Sequence, residues 1–405
     1  MRIDPTLSTH TRPPLVMAAS PPFPGPNAAL IGYTGYVGSN LHQHASSPPY
    51  HPYKALFNSS NIDQIQEALS NADNAIDTVV CAGAPGFKLG ANTLGQDLSG
   101  KKYDDTAAMD KLIADLDRIQ VGVSNVPNGA NLEKKKKLFI LISTLSVYSV
   151  CSHEEASNLH RANTSKDPEY YSRHGLSRDD ALSLNEARDV WTRPGPLSDG
   201  GLSDSTYGQN RSRLEAFVKQ KFNPQTTDWD YLLVRLPGIF GVNMRKNYIF
   251  DLLTKSPWRH KINLNTLHQW YPLRLLSEDI GKVVAYNNNK IGSNESESGA
   301  SAFGEGDGKL RIVNLFPEPL KTEKIVDTLF PEQREEVPDM RNPEECFVDG
   351  VETREGKKLW WVPGEERREI DGYKPMWRIS KERSLQELEE FKREFEAGRG
   401  VWKAG

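Results

Sequence analysis

Cysteine is scarce, long apolar runs are missing, and neither sign of charge dominates. Cys81, Cys151 and Cys346 stand far apart and are odd in number. That excludes a disulfide framework and a CxxC metal pattern, and it fits a reducing compartment, so a cytoplasmic location is expected. No apolar stretch nears the roughly 20 residues that a membrane-crossing helix requires, and the longest, around LFILIS, is strand-sized. The 50 basic and 54 acidic side chains leave a formal charge of −4, with neither sign massed in one region. Neither a nucleic-acid nor a membrane partner is therefore expected. The basic run Lys134 to Lys137 is short and reads as a solvated loop leading into LFILIS. His153, Glu154 and Glu155 lack the helical HExxH spacing, so no metal is expected.

What is present fits one main domain with a smaller partner: 405 residues, 37% hydrophobic and 26% charged. Residues 1–26 hold seven prolines and read as a disordered leader. From 28 to 150, short apolar runs alternate with helical stretches: AALIG and then 36–45, YKALFN and then 61–71, DTVVCAG and then 104–121, and finally LFILIS. Alternation of this kind predicts a parallel sheet with helices on both faces. The polar stretch 152–203 reads as an insertion. After it, Tyr207, Arg211, Leu214 and Val218 share one face of a helix. DYLLVRLPGIFG predicts a buried strand ending in a turn, NYIFDLL a short helix, and LRIVNLF a further strand. The polar stretch 287–309 cannot support a core. The last helix places Leu385, Leu388, Phe391 and Phe395 on its buried side, with Gly398 to end it. The chain is expected to divide into a main domain, 27–245, carrying the insertion 152–203, and a C-terminal lobe, 246–405.

In ALIGYTGYVGSNL, Gly32, Gly35 and Gly38 form GxxGxxG directly after a predicted strand and at the start of a helix. The first glycine permits a tight turn, the second lets the backbone approach a pyrophosphate, and the third allows close helix-to-strand packing. Thr34, Tyr36 and Val37 fill the same turn. Twenty residues past Gly38 stands Asn58, where an acidic residue would bond the adenosine ribose of NAD. A neutral residue there could bind ribose hydroxyls, tolerate a 2′-phosphate, or belong to a plain NSSN loop. Ala82 and Gly83, in CAGAPG, are small enough to let a nucleotide lie across the strand end.

In this order, GYTGYVG, CAG, STLSVY, YGQNR and RLPGIFG resemble the extended short-chain dehydrogenase/reductase superfamily, which includes NAD-dependent epimerases and dehydratases. The resemblance covers most of residues 28–290. It implies an α/β fold, a Rossmann-type doubly wound parallel sheet with a smaller C-terminal α/β lobe, NAD or NADP as cofactor, and a homodimer as the usual assembly. It places CAGAPG after the fourth strand and Thr144 at the end of the fifth, where Thr144 polarises a substrate oxygen. Tyr207 is then the proton-transferring group and Pro237 a cofactor contact. A phenol, with an ordinary pKa of about 10, serves as a base near neutrality only when a nearby cation lowers it. The family's lysine four residues on is here Arg211, which keeps the charge but cannot give up a proton. Asn247, Gln269 and Tyr271 fall where the family holds its small-molecule substrate. Arg245 and Lys246 read either as phosphate contacts or as solvated charges. The implied activity is an oxidoreductase or epimerase-like reaction on a hydroxyl or carbonyl, with a nucleotide sugar among the substrates. The Lys-to-Arg change favours a non-catalytic nucleotide-binding sensor or scaffold, and 152–203 could instead bind a protein partner.

Overall fold

The computed structural model describes residues 23–46, 50–71, 73–86, 104–122, 136–150, 192–194, 206–245, 247–262, 264, 267–290, 311–315, 317–318, 320–337 and 379–398. The first half runs β1 (Ala28–Ile31), α1 (Tyr36–Ala45), β2 (Ala55–Phe57), α2 (Ile65–Ser70), β3 (Thr78–Cys81), α3 (Asp105–Asp117) and β4 (Lys137–Thr144). A short antiparallel pair, β5 (Tyr148–Val150) with β6 (Thr192–Pro194), follows. Then come α4 (Thr206–Lys221), β7 (Trp229–Leu236), β8 (Gly238–Phe240) and α5 (Tyr248–Leu253). The chain continues through β9 (Leu267–His268), β10 (Trp270–Pro272), α6 (Leu276–Lys290), β11 (Ile312–Asn314), β12 (Leu320–Lys321), α7 (Thr322–Leu329) and α8 (Lys381–Glu396).

Six strands form one sheet in the order β11-β7-β4-β3-β1-β2, with every neighbouring pair parallel. Parallel neighbours need crossover connections, which the intervening helices supply, and both faces are thereby covered. Side-chain alternation divides the strands cleanly. Ala29, Ile31, Val79, Cys81, Phe139 and Leu141 face the core formed with α2, α3 and α4. Ala28, Leu30, Val80, Ile140, Val234 and Leu236 face a second core with α1 and α6. β7 is buried at all eight positions, which is why its sequence reads as a continuous run rather than an alternation. Its two charges are paired: Arg235 with Glu215 of α4 at 2.6 Å and Asp230 with Arg311 at 2.8 Å. A third core, around Phe240, Ile249, Trp270, Ile325 and Phe391, joins the C-terminal elements.

The sheet is the expected α/β, doubly wound one, with three corrections. The leader ends before residue 26, because Phe23 is buried in the second core beside the sheet; the prolines around it hide one anchoring aromatic. Cys81 closes the third strand in chain order and Thr144 the fourth, since the chain passes from β2 through α2 straight to β3. The expected boundary at 245 is crossed by the main sheet itself, because β11 pairs with β7 through Ile312–Leu233, Val313–Val234 and Asn314–Arg235. Helix α6 runs to Lys290 and so takes in the first residues of the polar stretch 287–309. Apart from β6, the insertion 152–203 lies outside the described residues.

Candidate functional site

The carboxyl ends of β1, β3, β4 and β7 open onto one cavity of about 1310 Å³. That is larger than the 300–1,000 Å³ typical of a small-ligand pocket, so it has room for an extended ligand. In an open parallel sheet this is where ligands are held.

The glycine turn forms one wall. Gly32 has φ +84°, and a Cβ there would stand 2.5 Å from the Gly83 Cα, so the turn and the end of β3 touch backbone to backbone. A Cβ on Gly38 would lie 2.0 Å from the Gly32 carbonyl oxygen, which shows how closely α1 sits on the turn that precedes it. Gly38 thus packs beneath the turn, while Gly32, Thr34, Gly35, Tyr36 and Val37 line the cavity. The Tyr36 hydroxyl is buried with no partner among the described residues, and burial pushes its pKa well up. It is a packing residue rather than an acid or base. Asn40 of α1 donates to the Tyr36 and Val242 carbonyls, tying the helix to the loop after β8.

Asn58 follows the end of β2 and lines the cavity with Ser59. Its Oδ1 accepts from the Ser60 amide at 2.8 Å and from the Ser60 hydroxyl at 2.6 Å, and its Nδ2 donates weakly to the Tyr33 hydroxyl at 3.4 Å. Ala82 and Gly83 continue the wall at the end of β3, and Pro237 continues it after β7.

Across the cavity stand Thr144, Tyr207 and Arg211. Thr144 closes β4, where its Oγ1 accepts from the Ser146 amide at 3.2 Å. Tyr207 and Arg211 lie one turn apart in α4, and the guanidinium carbon sits 3.7 Å from the Tyr207 ring centroid, a stacked cation–π contact. Arg211 is almost wholly buried. Its Nη1 pairs with Asp105 of α3 at 2.5 Å, and Asp105 also accepts from Asn210 at 2.7 Å. Arg211 Nε and Nη2 are shut off from solvent with no hydrogen-bond partner among the described residues. The guanidinium is thus held by protein rather than standing free in the cavity.

Sequence reasoning missed the network behind Thr144. Ser143 Oγ donates to Glu215 Oε1 at 2.5 Å, and Arg235 donates to both Glu215 oxygens at 3.0 and 2.6 Å. Burial alone would raise the Glu215 carboxyl, but the charge and hydrogen bonds of Arg235, with Ser143, hold it below the ordinary range. The signal was available: an arginine inside the buried run YLLVRL demands a partner. Lys111 and Asp115, paired at 2.7 Å, also line the cavity.

Two expected substrate residues lie elsewhere. Gln269 is buried and donates to the Pro317 carbonyl at 3.0 Å, and Tyr271 is fully buried with its hydroxyl donating to Asp279 at 2.6 Å. Side chains alternate along a strand, so in β10 it is the intervening Trp270 that reaches the cavity wall. Asn247 does line the cavity, but both ends of its amide are engaged. Oδ1 caps α5 at the Phe250 amide, and Nδ2 donates to the Ile239 carbonyl. Arg245 is exposed on the cavity wall, and Lys246 lies outside the described residues.

Among the described residues no cluster of three metal-ligating side chains occurs, and no helix is long and apolar enough to cross a membrane. No protein-family model matches the chain, and no curated protein sequence does. Solved structures with a similar arrangement exist at low identity. UDP-N-acetylglucosamine 4-epimerase from Bacillus cereus is 12% identical with a TM-score of 0.43, over 91% of this chain and 98% of that one. The Bordetella bronchiseptica enzyme WbmG, in complex with NAD, is 12% identical with a TM-score of 0.45, over 92% and 95%. RMD from Pseudomonas aeruginosa, complexed with NADPH, is 12% identical with a TM-score of 0.47, over 91% and 99%.

Proposed function

We propose that the chain is an NAD(P)-dependent enzyme of the extended short-chain dehydrogenase/reductase type, acting on a hydroxyl or carbonyl of a small molecule, with nucleotide sugars the first substrates to try. The observation that supports this reading most is the pairing, across one cavity, of a glycine turn with no room for a Cβ at Gly32 or Gly38 with Thr144 and Tyr207 on the opposite wall.

The residues present fit a dinucleotide. Gly32 and Gly38 admit no side chain, so the backbone at Gly35 lies open to a pyrophosphate, and helix α1 directs its first amides there. Asn58 and Ser59 stand at the ribose end, and Ala82, Gly83 and Pro237 flank the other. A bound nicotinamide supplies hydride transfer. The chain supplies the rest. Thr144 donates a hydrogen bond to the substrate oxygen, and Tyr207 takes or returns the proton of that same oxygen. Arg211, stacked on the ring, fixes the phenol. Trp270 and Arg245 contribute an apolar face and a cation on the substrate side. The protein works as a soluble homodimer in the cytoplasm in this reading.

The test is Tyr207→Phe. Loss of a positioned proton-transfer group removes about 10²–10⁴-fold of rate, so turnover of a nucleotide sugar falls by at least ~100-fold while nucleotide affinity measured by calorimetry is unchanged. Equal turnover by the variant rejects the role given to Tyr207.

One observation favours a second reading, a non-catalytic NAD(P)-binding sensor or scaffold. Arg211 spends its charge on Asp105 within a sealed pair, so it is not free to serve a cofactor as a lysine would. Nucleotide binding with no turnover on any hydroxyl or carbonyl substrate, and no effect of Tyr207→Phe on any readout, selects that reading.

A further inference from the structure

We infer that the site selects NADP(H) over NAD(H), and that Asn58 is the residue that sets the choice. The inference rests on the nucleotide-binding reading above and goes further by specifying which nucleotide.

An NAD ribose offers hydroxyl protons at this position, and recognition of it needs an acceptor at the end of the second strand. Asn58 cannot serve as one. An amide oxygen has two lone pairs, and both are spent within the turn, on the Ser60 amide at 2.8 Å and the Ser60 hydroxyl at 2.6 Å. The amide orientation is not ambiguous, because a backbone N–H must meet the oxygen and never the NH₂. What Asn58 presents beyond the turn is therefore its Nδ2, a donor held only by a 3.4 Å contact to the Tyr33 hydroxyl. Ser59 lines the cavity beside it and is exposed, adding a hydroxyl that can donate.

The Asn58 Nδ2 can only donate, which suits a group that accepts, and a phosphate at the ribose 2′ position accepts at every oxygen. The charge balance of the wall agrees. Of the cations on the cavity wall, Arg211 is paired with Asp105 and Lys111 with Asp115, the one carboxylate lining it among the described residues, which leaves Arg245 with no carboxylate partner among those residues. No described carboxylate on this wall is left to repel a 2′-phosphate.

The experiment is calorimetric titration of the full chain with NAD⁺ and NADP⁺, and with the fragments adenosine 5′-monophosphate and adenosine 2′,5′-bisphosphate, repeated on Asn58→Asp. The variant is isosteric and can still accept both Ser60 bonds, so the turn is kept while a charge replaces the donor. NADP⁺ should bind the natural chain at least tenfold more tightly than NAD⁺, and the bisphosphate fragment should beat the monophosphate by a similar factor. Asn58→Asp should weaken NADP⁺ at least tenfold and leave NAD⁺ unchanged or tighter. NAD⁺ binding as tightly as NADP⁺, or a preference that Asn58→Asp does not move, overturns the inference while leaving the glycine turn as a nucleotide site. No binding of any of the four by protein shown to be folded by its cooperative melting overturns both the inference and the reading beneath it.

Discussion

Replacing Arg211 by methionine removes a cation and keeps most of the side chain's length, and it separates two ion pairs that look alike on paper. Arg211–Asp105 and Arg213–Asp110 both join α4 to α3, and both measure 2.5 Å. They differ in burial: the first pair is 2% and 0% exposed, the second 47% and 53%. In water each charge keeps most of its hydration, so an exposed pair is worth at most about 1 kcal/mol. In the interior, removing one partner strands the other, a loss of about 3–5 kcal/mol. Asn210 still donates to Asp105 at 2.7 Å, so Arg211→Met belongs at the lower end, about 3 kcal/mol. Arg213→Met should cost less than about 1 kcal/mol and less still at high salt. Urea unfolding at two ionic strengths, with m-values compared, measures both. Equal losses for the two variants refute the claim that burial, not distance, decides what each pair contributes. The double variant Asp105→Leu with Arg211→Met should recover much of the loss, because two apolar groups leave no stranded charge.

Gly38→Ala forces a Cβ to within 2.0 Å of the Gly32 carbonyl oxygen, whereas a Cβ on Gly86 meets nothing within 4 Å; the first should lower the melting temperature by a loss of about 1–3 kcal/mol and abolish nucleotide binding, the second should do neither. The Glu215 carboxyl is held below its ordinary value of 4.5, so its share of stability is full above that pH and fades as the pH falls through the lowered value. The stability gap between the natural chain and Glu215→Gln should therefore be constant near neutrality and narrow in acid, and a gap that widens in acid would contradict the assigned direction. Cys81 is buried, which pushes its thiol up to about 11 despite a backbone hydrogen bond from Gly83; mass mapping after treatment with a thiol reagent should find it unmodified in the native protein and modified in denaturant.

Much of this architecture is local and therefore readable in one dimension. The strand-to-helix turn at Gly32, the face of α4 and the glycine stop at Gly398, with φ +66°, each depend on neighbours a few residues away. What escaped reading depends on parity or on distance. In HQWYPL nothing in the sequence says which alternate set faces the cavity, and choosing Gln269 and Tyr271 put the wrong set on the wall. Asp105 and Arg211 are brought together only by the packing of α3 against α4. Asn58 was readable as a position, but the loss of its acceptor to Ser60 is a matter of turn geometry that composition does not carry. Phe23, set among prolines, shows that a segment poor in pattern can still end in a buried anchor.

The pairing of β11 with β7 has a consequence for how the molecule is made. Until the ribosome has released Ile312–Asn314, the edge of β7 at Leu233–Arg235, in a strand buried at all eight positions, lacks the neighbour that pairs with its amides and carbonyls. The sheet's final neighbour arrives only after β8, α5, β10 and α6 have been synthesised, so the nascent chain must carry an open, sticky edge through that interval. A chain stopped after α5 would hold the glycine turn, Thr144 and Tyr207, yet it would emerge as a template for aggregation rather than as a working nucleotide-binding half.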